Sequence, residues 1–207
     1  ETRDGKPIYN WQYVDALYDA ILRTGMKPFV ELGFMPSALA SGTKTLFWWK
    51  GNVPPPNSYD KWEALIEALT RHFEERYGRD EVATWYFEVW NEPNLEYFWS
   101  GSQADYFELY TRSARAIKRV HAGYRVGGPA TAGAAWAPEF LRFCAEKGLP
   151  VDFVSTHSYN VDGYLDEYGE QQLRMVRDKD VVGDDVLRGA SEIKASPRPS
   201  VELHFTE

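Results

Sequence analysis

Residues 85–99 read WYFEVWNEPNLEYFW and contain the most informative pattern of the chain. Its first part, residues 85–90, is a short run of bulky residues of the kind found in buried β-strands. The run leads directly into Asn91, Glu92 and Pro93. A carboxylate is therefore expected at the C-terminal end of a strand, among aromatic side chains, where the active sites of parallel α/β folds lie.

Alternation along this strand predicts where its side chains point. Successive residues of a strand face opposite sides, so Glu92 should share a face with Tyr86, Glu88 and Trp90. The proline that follows is expected to hold Glu92 in an extended conformation. Glu88 and Glu31, which lie inside apolar strands, are predicted to be structural acids, the latter paired with a basic neighbour.

Helical and strand-like segments alternate along the rest of the chain, which is the pattern of parallel βαβ units. The predicted strands are KPFVELGF, WYFEVW, YRVGG, VDFVSTH and VELHF. The predicted helices run from Asn10 to Gly25, from Ser58 to Gly78, across Tyr106–Ile117, from Pro138 to Gly148 and across residues 168–194.

Two long connections follow predicted strands, at residues 35–58 and 158–167. Long loops at the C-terminal ends of parallel strands commonly carry function. The first loop contains three consecutive aromatic residues, Phe47, Trp48 and Trp49. Two interpretations stay open for them, a cap over a substrate pocket or packing against other parts of the protein.

The last predicted strand also ends in a carboxylate, because VELHFTE closes with Thr206 and Glu207. Glu92 and Glu207 should therefore meet at one edge of a parallel sheet. Two carboxyls about 5 Å apart support retaining glycoside hydrolysis, whereas about 6.5–9.5 Å leaves room for the water of an inverting enzyme. Sequence spacing does not choose between these distances.

Composition excludes several classes of partner and cofactor. A formal net charge of −8 argues against binding to nucleic acid or to an anionic membrane. No apolar run approaches the ~18 residues of a membrane span. The single cysteine, Cys144, excludes an internal disulfide and a multi-cysteine zinc site, and no His-Glu-x-x-His spacing predicts a metal. The chain begins without Met, so cytoplasmic and secreted locations both stay open.

Four segments in order, GMKPFVELGFMPSALASG, WYFEVWNEPNLEYFW, VGGPATAG and VDFVSTHSY, resemble glycoside hydrolase family 39, and within it the β-xylosidases. The resemblance implies an α/β fold, the (β/α)8 TIM barrel, with the five predicted strands matching strands three to seven. Residues 1–207 are thus expected to form one partial barrel domain. Strands one, two and eight and the family's accessory β-sandwich are expected to be absent.

The resemblance also implies roles for individual residues. Glu92 matches the family's general acid/base, Glu207 its nucleophile, and Asn91 an asparagine that binds the sugar 2-hydroxyl. His157 and Tyr159 match residues that line the sugar subsite, with Tyr159 near the nucleophile. The remaining wall positions of the subsite are matched by Phe34, Phe98 and Trp99.

The implied activity is the retaining release of terminal β-D-xylose from xylo-oligosaccharides. A small oligosaccharide would be the partner, without cofactor or metal, and the protein could be oligomeric. Two alternatives stay open. One is an α-L-iduronidase-like enzyme, for which Lys44 and Lys50 could supply the positive charge that a sugar carboxylate needs. The other is a non-catalytic carbohydrate-binding protein on a degenerate barrel, against which the presence of both glutamates argues.

Overall fold

The computed structural model describes residues 2–4, 6–168, 171–176 and 178–207. Its centre is a parallel sheet in which neighbours in sequence are neighbours in space, so that the order is β5-β4-β3-β2-β1. This confirms the predicted βαβ pattern. The strands are β1 (Phe29–Leu32), β2 (Tyr86–Val89), β3 (Arg125–Thr131), β4 (Phe153–Thr156) and β5 (Glu202–Phe205).

Helices precede or connect these strands on one face of the sheet. None of the helices in the described part of the chain is both long and apolar enough to cross a membrane. The main helices are α1 (Gln12–Arg23), α2 (Tyr59–Tyr77), α3 (Gln103–Val120), α4 (Ala137–Glu146) and α5 (Val181–Lys194). The shorter elements are an α-turn at Arg79–Val82, a 3-10 turn at Ala132–Ala134, and antiparallel pairs of Thr2–Arg3 with Lys6–Pro7, Thr45–Leu46 with Gly51–Asn52, and Val161–Leu165 with Gln171–Met175.

Polar side chains fix where the helices begin. The Ser58 hydroxyl accepts a hydrogen bond from the first turn of α2, as predicted for its N-cap. Ser102 and Asp105 form a reciprocal capping box at the start of α3. Asn10 Oδ1 accepts the Gln12 N–H at 3.0 Å, although the helix itself begins one residue later than predicted. The first three helices therefore lie where their sequence patterns placed them.

The core lies between these helices and the outer face of the sheet. Phe87 of β2 is fully buried and contacts Phe73 of α2 and Tyr124, with ring centroids 6.4 and 6.2 Å away. Tyr110 of α3 packs edge-on against Phe140 of α4 at 4.6 Å. Burial of each such side chain contributes about 1.5–3 kcal/mol, which holds the helices against the sheet.

One predicted helix is wrong in its first half. The region 168–194 was expected to be helical throughout, but the helix α5 begins only at Val181. The preceding chain forms the hairpin of Val161–Leu165 and Gln171–Met175, closed by a 3.1 Å bond from Val176 N–H to the Asn160 carbonyl. Leu173 and Met175 alternate at the spacing of a strand, which explains the difference. Residues 169, 170 and 177 lie outside the described residues.

The predicted alternation of β2 holds only as far as Val89, where the strand ends. Trp90 has a φ of 71°, in the left-handed region, and its ring contacts Trp62 of α2 and Trp99. Trp90 thus joins the helix side of the sheet, and the prediction that it shares a face with Glu88 is wrong. A left-handed residue breaks the two-residue period on which that prediction rested.

Candidate active site

Glu92 is held at the end of β2 by a turn rather than by extended backbone. Its φ is 44°, so the predicted extended conformation is wrong. The Glu92 N–H donates to the Ala130 carbonyl of β3 at 2.8 Å. The Asn94 side-chain amide donates to the Ala132 carbonyl at 3.0 Å, and the Ala132 N–H donates to Asn94 Oδ1 at 2.9 Å. These cross-strand bonds offset the cost of about 1–3 kcal/mol for a left-handed residue.

Asn94 is a positioning residue that sequence reasoning missed. Its position after Pro93 was the available signal, since asparagine commonly bonds to nearby backbone in turns. Its partner lies in the turn after another strand, however, and the local pattern does not reveal that partner. The loop that carries Glu92 is therefore bonded at two points, to Ala130 of β3 and to Ala132 in the turn that follows β3.

His157 joins the two glutamates that the sequence predicted as a pair. It follows β4 and is fully buried, and its backbone N–H donates to the Thr131 carbonyl at 2.9 Å. The imidazole Nδ1 lies 2.9 Å from Glu92 Oε1 and 3.7 Å from Glu207 Oε2. One atom from each of these three side chains lies within 4.8 Å of the others, so the predicted meeting of the two carboxylates is confirmed.

Glu207 follows β5 and is fixed from the side of β4. Its carbonyl accepts the Ser158 N–H at 3.1 Å, and the preceding Thr206 N–H donates to the Thr156 carbonyl at 3.0 Å. The Tyr159 hydroxyl donates to Glu207 Oε2, as the predicted neighbourhood of the two residues requires. The Glu207 side chain is 42% exposed, whereas that of Glu92 is 8% exposed. One carboxylate is thus enclosed and the other open.

The interior face of the sheet below this pair is acidic. Glu31 pairs in register with Glu88, and no Lys or Arg of the described residues forms an ion pair with Glu31, so its predicted basic partner is not found. Although Glu31 still reaches solvent at the sheet edge, desolvation and the charges of Glu88 and Glu207 raise its pKa to about 7. A cavity of about 410 Å³ opens beside these three side chains.

The surrounding carboxylates raise the pKa of His157. Burial alone would lower the pKa of His157, because it disfavours the imidazolium. The hydrogen bond with Glu92 and the charges of Glu207, Glu92 and Glu88 outweigh burial, so the pKa of His157 lies above its usual value. A protonated His157 can therefore offset part of the negative charge that collects around the pair.

Asn91 lies next to Glu92 with its side chain available to a ligand. It is 8% exposed, and its Oδ1 atom has no hydrogen-bond partner in the part of the chain that the structure describes. A buried polar atom without a partner is costly, which makes it a candidate for binding a ligand hydroxyl. This agrees with the predicted contact of Asn91 to a sugar, which stays a prediction.

Aromatic side chains form one wall at this end of the sheet. Phe34, after β1, contacts Phe98 in a stacked arrangement at 6.2 Å and Trp49 edge-on at 5.5 Å. Phe47 stacks on Trp49 at 5.4 Å and meets Phe98 at 5.8 Å. Trp48, between them, is 90% exposed. Two members of the loop trio thus join the predicted wall residues Phe34 and Phe98.

Trp99 does not belong to this wall, and its expected position there is corrected by the structure. It is 1% exposed and packs against Trp90 at 5.0 Å, while its indole N–H donates to the Ser102 carbonyl at 3.0 Å. The Phe98 and Trp99 N–H groups both donate to the Leu95 carbonyl. The tight turn leaves Phe98 at the wall and places Trp99 in the core.

The two paired glutamates, together with His157, could also ligate a cation. Within the described ranges, Glu92, His157 and Glu207 are the group whose ligand atoms lie close enough together. That no metal takes part stays a prediction. Carboxylate oxygens within 4.8 Å of each other favour the short separation of a retaining enzyme, about 5–5.5 Å between carboxyl groups, over the longer separation of an inverting one.

Comparison with known proteins agrees with this site. Residues 1–197 match the model of the glycosyl hydrolases family 39. The chain belongs to this family. It is 48% identical over 208 residues to a β-xylosidase of Geobacillus stearothermophilus, covering 98% of this chain and 41% of that protein. It is 55% identical over 160 residues to a β-xylosidase of Caldicellulosiruptor saccharolyticus, covering 77% of this chain and 33% of that protein.

A solved family 39 structure shares the fold. The crystal structure of a monomeric β-xylosidase from Caulobacter crescentus CB15 superposes with a TM-score of 0.92 and 51% identity, over 100% of this chain and 42% of that one. The α/β fold class, a (β/α)8 barrel to which this chain contributes consecutive parallel strands, is thereby confirmed. The chain spans about two fifths or less of the length of these relatives.

Proposed function

We propose that the protein containing this chain is a retaining glycosidase that releases terminal β-D-xylose from xylo-oligosaccharides. The observation that carries the proposal is the approach of Glu92 and Glu207 to within 4.8 Å at the C-terminal ends of β2 and β5. Family membership supports the reaction class, and the identity of 48–55% to two β-xylosidases supports the substrate.

In the first step, a Glu207 oxygen attacks the anomeric carbon while Glu92 gives its proton to the departing glycosidic oxygen. The bond to the leaving group breaks as the bond to Glu207 forms, which produces a covalent glycosyl-enzyme. The roles of Glu92 as acid and Glu207 as nucleophile are those that the resemblance to family 39 implies, and the burial of Glu92 suits an acid. The Tyr159 hydroxyl would orient Glu207 for attack.

In the second step, water attacks the same anomeric carbon and displaces Glu207. Glu92, now a carboxylate, accepts a proton from that water and is ready for the next turnover. Asn91 would bind the sugar 2-hydroxyl more tightly as positive charge develops on the ring, which lowers the barrier. His157 would limit repulsion between the two carboxylates, since its imidazole lies beside both.

The iduronidase alternative requires a cation for the sugar carboxylate. Of the two lysines considered, Lys44 donates from its ammonium group to the Glu96 carbonyl at 2.8 Å and thus already serves the loop. Lys50 lies in the same loop with a φ of 59°. Neither arrangement favours an acidic sugar over a neutral one, so xylose stays the proposed substrate.

The test is a panel of aryl glycosides incubated with the intact protein. Aryl β-D-xyloside should be hydrolysed fastest. Faster cleavage of aryl α-L-iduronide would mean that the protein releases iduronic acid and not xylose. A protein that binds xylobiose but hydrolyses none of the panel would be a binding protein, and the proposal would be wrong.

A further inference from the structure

Glu88 is a buried acid that the mechanism above does not use. It lies on β2, is 3% exposed, and points into the interior of the curved sheet. Burial, reinforced by the charge of Glu207, raises its pKa in spite of hydrogen bonds from Ser155 and Thr206 and the charge of His157. Burying a carboxyl costs more than burying an apolar side chain of similar size. A buried carboxyl that is kept despite this cost often marks a position that supports a functional site.

One hydrogen-bond partner of Glu88, Thr206, shows which site it serves. The Thr206 hydroxyl donates to Glu88 Oε1 at 3.0 Å. Thr206 directly follows β5 and directly precedes Glu207, whereas Glu88 lies on β2, four positions before Glu92. Strands β2 and β5 do not touch, because β3 and β4 lie between them in the sheet. This bond therefore crosses the sheet interior and connects the strand of one carboxylate to that of the other.

The remaining contacts of this segment come from one side. Thr206 and Glu207 are bonded through their backbone to Thr156 and Ser158, around the end of β4. The Tyr159 hydroxyl contacts the Glu207 carboxylate from this same side. The contact of Thr206 with Glu88 is the one made from the interior of the sheet, across from β2.

We propose that Glu88 is a positioning residue that, through Thr206, sets the distance between Glu92 and Glu207. The inference rests on the proposed function, since the distance matters only if both carboxylates act on one sugar linkage. A displacement of about 1 Å at a reacting group can cost about 100-fold in rate. Loss of the bond should therefore reduce turnover while substrate binding stays intact.

The experiment compares variants of the intact protein. Thr206→Val removes the hydroxyl and keeps the shape, and Thr206→Ser restores a hydroxyl. Glu88→Leu removes the acceptor, and Glu88→Gln restores an acceptor oxygen. Thr70→Val is the matched control, because Thr70 is 1% exposed and its hydroxyl bonds only within α2, to the Ile66 carbonyl. Active sites are counted by covalent labelling with an activated 2-deoxy-2-fluoro-xyloside, and kcat is given per labelled site.

Thr206→Val and Glu88→Leu should each lower kcat per labelled site by about 10–100-fold with KM nearly unchanged. Thr206→Ser and Glu88→Gln should recover most of that loss, and Thr70→Val should lower only the melting temperature. If Thr206→Val matches Thr70→Val in kcat per labelled site, the positioning role is wrong. If the unmodified protein neither hydrolyses xyloside nor becomes labelled, the proposed function itself has failed.

Discussion

Glu92 and Glu207 present oxygen atoms within 4.8 Å of each other, although they follow β2 and β5, which are not neighbours in the sheet. His157 lies against both, with its Nδ1 atom 2.9 Å from the first and 3.7 Å from the second. The two glutamates differ in surroundings, since one is enclosed and the other is reached by solvent. The roles of acid and nucleophile in the proposed reaction are those that the resemblance to family 39 implies.

Glu92→Gln should separate substrates by the quality of their leaving group. Xylobiose needs its glycosidic oxygen protonated, so its hydrolysis should fall by about 100–10,000-fold, whereas the first step with an activated aryl xyloside should change little. Steady-state and pre-steady-state rates with both substrates measure this. Glu96→Gln, in the same loop but exposed, is the control and should behave as the unmodified protein. Equal loss on both substrates would remove the acid role of Glu92.

Tyr159→Phe should lower the rate of formation of the glycosyl-enzyme by about 10–100-fold, because Glu207 loses the hydroxyl that orients it. Tyr159 is 46% exposed, so the free energy of unfolding should change little. Single-turnover rates and thermal unfolding of the same sample measure both effects. A variant with an unchanged single-turnover rate would show that the hydroxyl does not orient the nucleophile.

His157 should make stability depend on pH. Its pKa is raised in the folded protein, in which burial opposes but does not cancel the effect of Glu92 and its neighbours. A raised value means that the stabilisation is fully present below the ordinary pKa of about 6.5 and is lost as pH rises through the folded value. The free energy of unfolding of the unmodified protein, relative to His157→Asn, should therefore fall from pH 6 to pH 9. A constant difference would contradict this.

Trp99 and Phe98 should respond differently to substitution. Trp99→Ala removes a fully packed indole and should cost about 3–5 kcal/mol in the free energy of unfolding. Phe98→Ala alters a half-buried wall residue and should raise KM for xylobiose with a smaller loss of stability. Chemical denaturation and initial rates measure the two. A raised KM for Trp99→Ala at an unchanged free energy of unfolding would show that Trp99 lines the sugar subsite and is not a core residue.

Much of the fold could be predicted because its elements have local signals. The helix from Ser58 to Gly78 has its cap, its apolar spacing and its terminal glycine in the sequence, and it forms as α2. The hairpin within residues 161–175 was missed, because Leu173 and Met175 alternate over too few residues to distinguish a strand from a frayed helix.

The pairing of the two carboxylates was predictable from the sequence, but the geometry around them was not. Glu92 and Glu207 could be paired because the ends of parallel strands converge on one edge. The left-handed turn at Glu92 and the bonds of Asn94 depend on the carbonyls of Ala130 and Ala132, which no local pattern contains. The contact of Glu88 with Thr206 likewise exists only once the sheet has curved.

The most direct measurement is the anomeric configuration of the first xylose released by the intact protein, followed by proton NMR before mutarotation. Oxygen atoms of the two carboxylates that lie within 4.8 Å of each other favour the short separation of a retaining enzyme, so we expect β-xylose first, converting later to the equilibrium mixture. Release of α-xylose first would mean inversion and would contradict the double displacement through Glu207.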